Sequence, residues 1–340
     1  MKISLMYRNL IYLQLCMACS FIGCSNKQMT SVKPKPKEVV KQVESKIDTT
    51  SYGVLMSYDG GHSWSTSGDG LPKDIRVSYL DKLGESIVAA SDNYGIFIKE
   101  RMDDSWQQIG KSLPEKKVNA LHIQGEDIYV GLYQKGIFVS SDIGASWKPL
   151  NFDLADLRVQ SIMNFEGRLI IGTDDGIFEL SDTNTWKNLF YGCQVNSLTQ
   201  YRSEMIAGTS RGALVSKNSG NEWEWIYKKG AVKNTGVMDD RMALMTMSNG
   251  LYIANHFYIT SNFGSLDPVP FPTSKGSSVY EIMEIDGQWF VSNNFGLHRS
   301  IDKGKSWERI IQTRNRAFFD FLVTDNIQYC AVTPYQLRGC

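Results

Sequence analysis

The chain has 340 residues, a formal net charge of zero, 42% hydrophobic residues and 21% charged residues. This composition is typical of a globular protein and excludes a chain that is disordered throughout. The balanced charge also argues against a strongly basic nucleic-acid-binding protein. A content of 29 glycines, 16 tyrosines and 8 tryptophans favours many short strands joined by tight turns.

Residues 1–23 are predicted to be an export signal. Lys2 and Arg8 form a basic start, and a mostly apolar run follows them, as in secretory signal peptides. The Gly-Cys junction that ends at Cys24 resembles a bacterial lipoprotein signal. That resemblance implies that Cys24 becomes the lipidated first residue of a protein anchored in the cell envelope, at the outer membrane or the periplasmic face. The alternative is an ordinary signal peptide in which Cys24 is incidental.

Residues 24–51 are predicted to be a flexible tether. They contain six lysines, three acidic residues and few large apolar residues, so they cannot bury enough apolar surface to fold. The alternation of lysine and proline at 33–37 favours extended chain. The tether carries a charge of +3 and the signal +2, which leaves −5 on the folded body, residues 52–340.

A short sequence pattern recurs through this body at intervals of about 40 residues. The pattern S-x-D-x-G-x-x-W is complete at 57–64, 140–147 and 300–307, and a near-copy with Asn in place of Asp lies at 216–223. Three eroded copies end at positions 106, 186 and 266. Asp or Asn stabilises a turn, Gly allows a positive φ, and Trp packs over the turn. We therefore predict a structural role for Asp59, Trp64, Asp142, Trp147, Asn218, Trp223, Asp302 and Trp307.

The pattern resembles the Asp-box, also called the bacterial neuraminidase repeat. In that family the box is mainly structural and often lies away from the active face. The resemblance therefore implies a scaffold role for these turns.

Each copy of the pattern lies in a unit of four short predicted strands, for example 118–123, 128–132, 136–140 and 147–150. Four antiparallel strands per 40 residues indicate a β-propeller blade. The body begins with a third strand and ends with a first and a second strand, so its two ends are predicted to pair within one blade. Six internal blades and this shared blade predict an all-β, seven-bladed propeller.

The Asp-box also occurs in enzymes, and we searched the chain for their residues. No Phe-Arg-Ile-Pro-like segment of sialidases is present, and the four histidines and the cysteines at 193, 330 and 340 show no metal-ligand spacing. We expect no cofactor and no metal, and whether the cysteines form a disulfide is left open. Enzymatic activity is uncertain; if present, it would be that of a glycoside hydrolase or a polysaccharide lyase.

The whole chain is most similar to the photosystem II assembly and stability factors, which are lipoprotein-type Asp-box propellers. This resemblance implies a non-catalytic lipoprotein that holds a protein partner during assembly. An anionic glycan is the other ligand considered, and nucleic acid is not expected. The alternative function is a carbohydrate-active enzyme of the Asp-box propeller type.

A candidate binding face is predicted where the chain enters the first strands and turns from second to third strands. Arginine and tyrosine are favoured at interfaces, and arginine suits carboxylates and sulfates. The alternative is that these residues merely surround a wet channel. The residues chosen are Arg76, Asn119, Arg158, Asn196, Arg241, Tyr280, Arg316, Tyr94, Tyr133 and Arg211. Four of these residues, the arginines at 76, 158, 241 and 316, precede or begin predicted first strands. We expect them at equivalent positions in four blades and therefore on one face.

Overall fold

A computed structural model describes residues 53–247, 254–260, 267–269, 279–293, 296–312, 316–324 and 327–334. The predicted signal peptide, Cys24 and the tether lie outside these residues. No helix in the described ranges is long and apolar enough to cross a membrane.

The described chain forms antiparallel strands that repeat in groups of four. The first group is incomplete and contains β1 (Gly53–Ser57) and β2 (Ser65–Thr66). The next comprises β3 (Val77–Leu83), β4 (Ser86–Ser91), β5 (Ile96–Lys99) and β6 (Gln107–Gln108). It is followed by β7 (Val118–Gln124), β8 (Asp127–Leu132), β9 (Gly136–Ser140) and β10 (Lys148–Pro149). Then come β11 (Val159–Phe165), β12 (Arg168–Thr173), β13 (Gly176–Leu180) and β14 (Trp186–Tyr191).

The second half of the chain continues the same order. The next group is β15 (Val195–Tyr201), β16 (Glu204–Thr209), β17 (Gly212–Ser216) and β18 (Glu224–Tyr227). It is followed by β19 (Val232–Met238), β20 (Arg241–Met247), β21 (Ala254–Thr260) and β22 (Asp267–Pro268). The last strands are β23 (Val279–Ile285), β24 (Gln288–Asn293), β25 (Gly296–Ser300), β26 (Glu308–Gln312), β27 (Arg316–Thr324) and β28 (Ile327–Pro334).

The prediction of seven blades is wrong, because the described strands form six hydrogen-bonded sheets. Five sheets have four strands each, and the sixth has eight strands, from β19 to β26. Two four-strand repeats share this sheet because Ala254 of β21 pairs directly with Val279 of β23. The short strand β22 pairs only with Tyr258 and Ile259, which leaves the edge of β21 open at Ala254. The propeller is therefore six-bladed when each blade is one sheet.

The two ends of the described chain meet in one sheet, as predicted. Strand β1 pairs with β28 from Gly53 opposite Val332 to Ser57 opposite Gln328. This sheet has the order β2-β1-β28-β27. The pairing protects sheet edges that would otherwise be open to other chains.

The first strand of each repeat contacts the first strand of the next repeat, so these strands surround the axis. Apolar side chains fill the space between neighbouring sheets. Val88 and Ile98 of one sheet, for example, pack in one cluster with Val118 and Val130 of the next. Full burial of such a side chain contributes about 1.5–3 kcal/mol, which makes the contacts between sheets the main source of stability.

The S-x-D-x-G-x-x-W segments form tight turns between third and fourth strands. In the segment at 140–147, the Asp142 carboxylate accepts hydrogen bonds from the Ser146 N–H (2.9 Å) and hydroxyl (2.6 Å). The Ser140 hydroxyl donates to Asp142 (2.7 Å) and accepts from the Gly144 N–H (2.8 Å). The bonds from Ser146 and Ser140 lower the pKa of Asp142 to about 2. The segments at 57–64 and 300–307 repeat this geometry.

The tryptophans of these segments pack against the sheets. Trp64 is 7% exposed and meets Phe321 edge-on, with ring centroids 6.4 Å apart. Trp147 and Trp307 are half-buried against two other apolar clusters. In an eroded copy, the Trp186 indole N–H donates to the Leu150 carbonyl of the preceding repeat at 2.6 Å. The tryptophans thus join each turn to the core, and Trp186 also joins its turn to the preceding repeat.

We expect Ile143→Asn to stabilise the protein by about 1 kcal/mol, because a left-handed backbone is unfavourable for a residue with a Cβ and asparagine tolerates it better. Ile143 has a φ of 56° and is 54% exposed, so little packing is lost. The matched control is Ile301→Asn, in a turn of the same kind, where the side chain is 77% exposed and φ is not positive. Urea unfolding of both variants measures the difference. Equal effects in the two variants would contradict the explanation.

Candidate functional site: the upper face and the axial carboxyl groups

Two sets of loops lie on the same side of the propeller, which we call the upper face. They are the loops that lead into the first strands and the turns between second and third strands. The other turns, including the S-x-D-x-G-x-x-W segments, form the lower face. Strands within each repeat are antiparallel and consecutive, so this division holds for every repeat.

A valine at the start of the first strand marks equivalent positions in different repeats. Val77, Val118 and Val159 each precede a β-bulge at the same point of the first strand. The residues before these valines are Arg76, Lys117 and Arg158. Three consecutive repeats therefore present a cation at one position of the upper face. Lys117 was missed by the sequence analysis, although alignment on the valines would have found it.

The two arginines of this set are paired with aspartates of the same face. The Arg76 Nε lies 2.6 Å from Asp92. The Arg158 guanidinium lies 3.0 Å from Asp156 and 3.1 Å from Asp174. Both arginines are partly exposed, with 33% and 47% of their side chains accessible. Local carboxylates therefore neutralise these cations, and no bound anion is needed to relieve repulsion between them.

The two predicted asparagines connect neighbouring first strands. Asn196 donates from Nδ2 to the Val232 carbonyl at 2.8 Å. Asn119 donates from Nδ2 to Gln160 at 3.5 Å, and Gln160 in turn donates to Asp174 at 2.7 Å. Both asparagines are half-buried. These contacts give them a structural part in the ring.

The predicted turn residues lie on the upper face. Tyr94 donates its hydroxyl proton to Asp74 at 2.7 Å. Tyr133 is 37% exposed, and the Lys117 Nζ lies 3.4 Å from the centre of its ring. Arg211 is exposed and donates from Nη1 to the Gly192 carbonyl at 3.3 Å. These side chains are accessible to a ligand without any change of backbone.

The expected common register of the four arginines is wrong at two positions. Arg241 begins β20, a second strand, and therefore lies on the lower face. There it pairs with Asp239 at 3.2 Å and stacks over Trp289. Arg316 begins β27 two residues before Phe318, which occupies the valine position. The side chains of Arg316 and Tyr280 are outside the described part of the structure, and only their strand positions are known.

A second cluster, not found from the sequence, lies on the first strands near the axis. Glu281 and Asp320 each follow the bulge of their strand. Asn234 holds the same place one repeat earlier and donates from Nδ2 to both Glu281 oxygens at 2.8 Å. Asp320 accepts from the Leu80 N–H at 2.6 Å and from the Phe321 N–H at 2.8 Å. We call Glu281 and Asp320 the axial carboxyl groups.

The axial carboxyl groups hold protons at unusually high pH. Burial, and secondarily the nearby Asp320, raise the pKa of Glu281 to about 8. Burial likewise raises the pKa of Asp320 to about 7, although its backbone hydrogen bonds oppose the shift. The hydrogen bonds from Asn234 to Glu281 and from Leu80 to Asp320 link neighbouring first strands.

Other reactive groups are not assembled into a site in the described ranges. No group of three or more His, Cys, Asp or Glu residues there is arranged to hold a metal ion. Cys193 and Cys330 are buried free thiols. Burial raises the pKa of both thiols, which lowers their reactivity.

Comparison with known proteins identifies the fold but no family. No protein-family model matches the chain, and no curated protein matches it. Among solved structures, YCF48 bound to D1 peptide has a TM-score of 0.60 at 16% identity over 80% of this chain and 96% of that chain.

Two further structures share the propeller fold with only part of their length. The extracellular domain of BT4673 from B. thetaiotaomicron has a TM-score of 0.64 at 11% identity, covering 82% of this chain and 40% of that one. An ancestral GH74 enzyme has a TM-score of 0.55 at 16% identity, covering 78% and 40% respectively. At these identities the likeness establishes the fold alone.

We expect the stability of the folded chain to fall as pH rises from about 5 to about 8. A carboxyl group whose pKa is higher when folded binds protons more strongly in the folded chain, so deprotonation favours unfolding. Each such group contributes at most about 1.4 kcal/mol per pH unit. Glu281→Gln, which keeps an uncharged acceptor for Asn234, should flatten this pH dependence in urea unfolding at several pH values.

The control for this experiment is Glu85→Gln, since the Glu85 side chain is 86% exposed. It should keep the pH profile of the unsubstituted protein. A Glu281→Gln profile as steep as that of the control would contradict the shifted pKa.

Proposed function

We propose that the chain is a non-catalytic binding protein of the bacterial cell envelope whose upper face holds a protein partner during assembly. Its S-x-D-x-G-x-x-W turns are Asp-boxes with a structural role. A signal peptide directs export, a lipid on Cys24 anchors the mature chain, and the tether of residues 24–51 lets the propeller reach its partner.

The short turns of the upper face carry this proposal. Within the described ranges, four turns between second and third strands are complete, and they have two to four residues, namely 92–95, 133–135, 174–175 and 210–211. Catalytic and substrate-binding groups are commonly placed on longer loops. Where these four turns lie, the upper face is shallow, which suits contact with another protein better than enclosure of a small substrate.

Two structural neighbours support the proposal in general terms. YCF48 has been seen with a peptide of a protein partner, and the BT4673 domain is extracellular. A propeller of this kind therefore presents a peptide-binding surface in one protein and functions outside the cell in another. By analogy, we infer the same use and a similar compartment for this chain.

A carbohydrate-active enzyme is the alternative, and the axial carboxyl groups are its strongest candidates for acid–base chemistry. Their oxygens, however, accept hydrogen bonds from Asn234 and from the backbone of Leu80, Phe321 and Ile282. A general acid or base must reach a substrate atom. These contacts favour a structural role, and the paired arginines also weaken the case for an anionic glycan.

We expect Cys24→Ala to block lipid attachment and to move the protein out of the membrane fraction or leave it unprocessed. The physical reason is that the acyl chains supply the hydrophobic anchor. Cell fractionation and the mass of the mature chain measure the effect. Cys19→Ala, within the signal, is the matched control and should remain anchored. A correctly cleaved Cys24→Ala protein that stays in the membrane would contradict the lipoprotein assignment.

We expect a photo-crosslinking amino acid at position 211, on the upper face, to capture one or a few envelope proteins in the native cell. The same probe at position 217, on the lower face, is the control. Arg211 and Lys217 are both exposed, so access of the probe is similar. Mass spectrometry identifies the adducts. Adducts that are equal at the two positions, or that contain only glycan, would speak against a protein-binding upper face.

A further inference from the structure

Exposed apolar side chains are distributed differently on the two faces of the propeller. Among the described residues, the large exposed side chains of the lower face are spread around the ring, at Tyr58, Met102, Ile143, Val237, Ile301 and Val323. Those of the upper face are confined to the sector from β8 to β14, at Tyr133, Phe152, Leu157 and Tyr191. Repetition of the turns explains exposed apolar side chains that are spread around the lower face. It does not account for a concentration in one sector.

We propose that Tyr133, Lys117, Lys135, Phe152 and Leu157 form a docking patch for an extended acidic segment of the partner protein. In this segment, carboxylates alternate with aromatic or aliphatic side chains. The proposal rests on the protein-binding function proposed above and specifies its surface and the chemistry of the ligand. We call these five residues the aromatic–basic patch.

The two loops that carry the patch are fixed against each other. Asn151 donates from Nδ2 to the Lys135 carbonyl at 2.8 Å and accepts at Oδ1 from the Ile137 N–H at 2.9 Å. The Gly136 N–H donates to the Leu157 carbonyl at 2.9 Å. Gly136 has a φ of +83°, and a Cβ there would lie 1.9 Å from Asn151. The loop of Phe152 and Leu157 is therefore held beside the turn of Tyr133, which reduces the entropy lost on binding.

The apolar side chains of the patch remain exposed in this fixed arrangement. Phe152 is 62% exposed, Leu157 38% and Tyr133 37%. Aromatic anchors of this kind contribute most of the binding energy at many protein interfaces. Burial of these side chains by a ligand segment would be favourable in proportion to the apolar area removed from water.

Lysines surround the Tyr133 end of the patch. The Tyr133 N–H donates to the Lys117 carbonyl at 3.1 Å, and the Lys117 Nζ lies over the ring. Lys135 is in the same turn. The loop before β7 carries Lys111 and Lys116, whose Nζ donates to the Gly110 and Lys111 carbonyls, and Glu115, which accepts from the Gln134 N–H at 3.0 Å. The loops at 109–117 and 133–135 together carry four lysines and one glutamate, a charge of +3, on a folded body with a charge of −5. Charge complementarity therefore favours a segment with carboxylates at this end.

The opposite end of the patch has a different charge. Next to Leu157, Arg158 is paired with Asp156 and Asp174, and Asp153 and Asp175 lie in the same loops. These aspartates would repel the anionic headgroups of a membrane surface. A peptide can place carboxylates over the lysines and apolar side chains over Phe152 and Leu157. The charge pattern thus favours a protein segment over a lipid surface.

The test is a selection of random peptides displayed on phage against the immobilised full-length protein in detergent. The enriched peptides should contain Asp or Glu beside Phe, Tyr, Trp or Leu. Fluorescence anisotropy then measures the affinity of the enriched peptides for two patch variants, Tyr133→Ala/Phe152→Ala and Lys117→Gln/Lys135→Gln. Each should weaken binding about tenfold or more, and the lysine variant should also reduce the salt dependence.

The matched control carries Tyr58→Ala and Lys217→Gln on the lower face, and it should bind as the unsubstituted protein does. Melting temperatures establish that all variants remain folded. The patch is refuted if no peptide is enriched, if enriched peptides lack acidic residues, or if both patch variants bind normally. It is also refuted if the protein binds vesicles of anionic phospholipid in place of peptides.

Failure of the patch and failure of the proposed function give different results. If enriched peptides depend on Tyr58 and Lys217, the patch is wrong, but the propeller still binds protein. If crosslinking at position 211 yields only glycan, protein binding itself is wrong, whatever the peptides show.

Discussion

Pairing of β1 with β28 holds the two ends of the folded chain together, and the arrangement of both faces depends on it. Because the ring is closed, the first strand of every repeat has a neighbour on each side. An open array of the same strands would leave unpaired edges.

Closure also explains why polar groups are found near the axis. First strands converge there, and backbone N–H groups that lose contact with water need hydrogen-bond partners. Asp320 supplies an acceptor to Leu80, and Asn234 and Glu281 join two further repeats. The cost of burying carboxyl groups is reduced when they stay protonated. The carboxyl groups near the axis thus have a structural role that makes stability depend on pH. We place ligand binding on the outer surface instead.

On that outer surface, short turns and local charge pairing work together. Four described turns between second and third strands have only two to four residues, and aspartates neutralise Arg76 and Arg158. Among the described residues, the large exposed apolar side chains of this face are concentrated in the sector from β8 to β14. Specific recognition in a repeat protein needs such a departure from symmetry, because identical repeats would offer a partner many equivalent positions.

The sequence by itself determined the all-β propeller, the four-strand repeat, the turn segments and the closure, because each depends on local patterns that recur every 40 residues or so. It did not determine the number of sheets, since one added pair, Ala254 with Val279, merges two repeats into one blade. It also misplaced Arg241, because a strand's start alone does not tell on which face its residues lie. The axial carboxyl groups and the aromatic–basic patch were decided only by the tertiary structure. Asp320 and Leu80 lie far apart in the chain, and their contact arises from ring closure. The patch residues surround a single repeat, but the exposure of their side chains leaves no trace in the spacing along the chain.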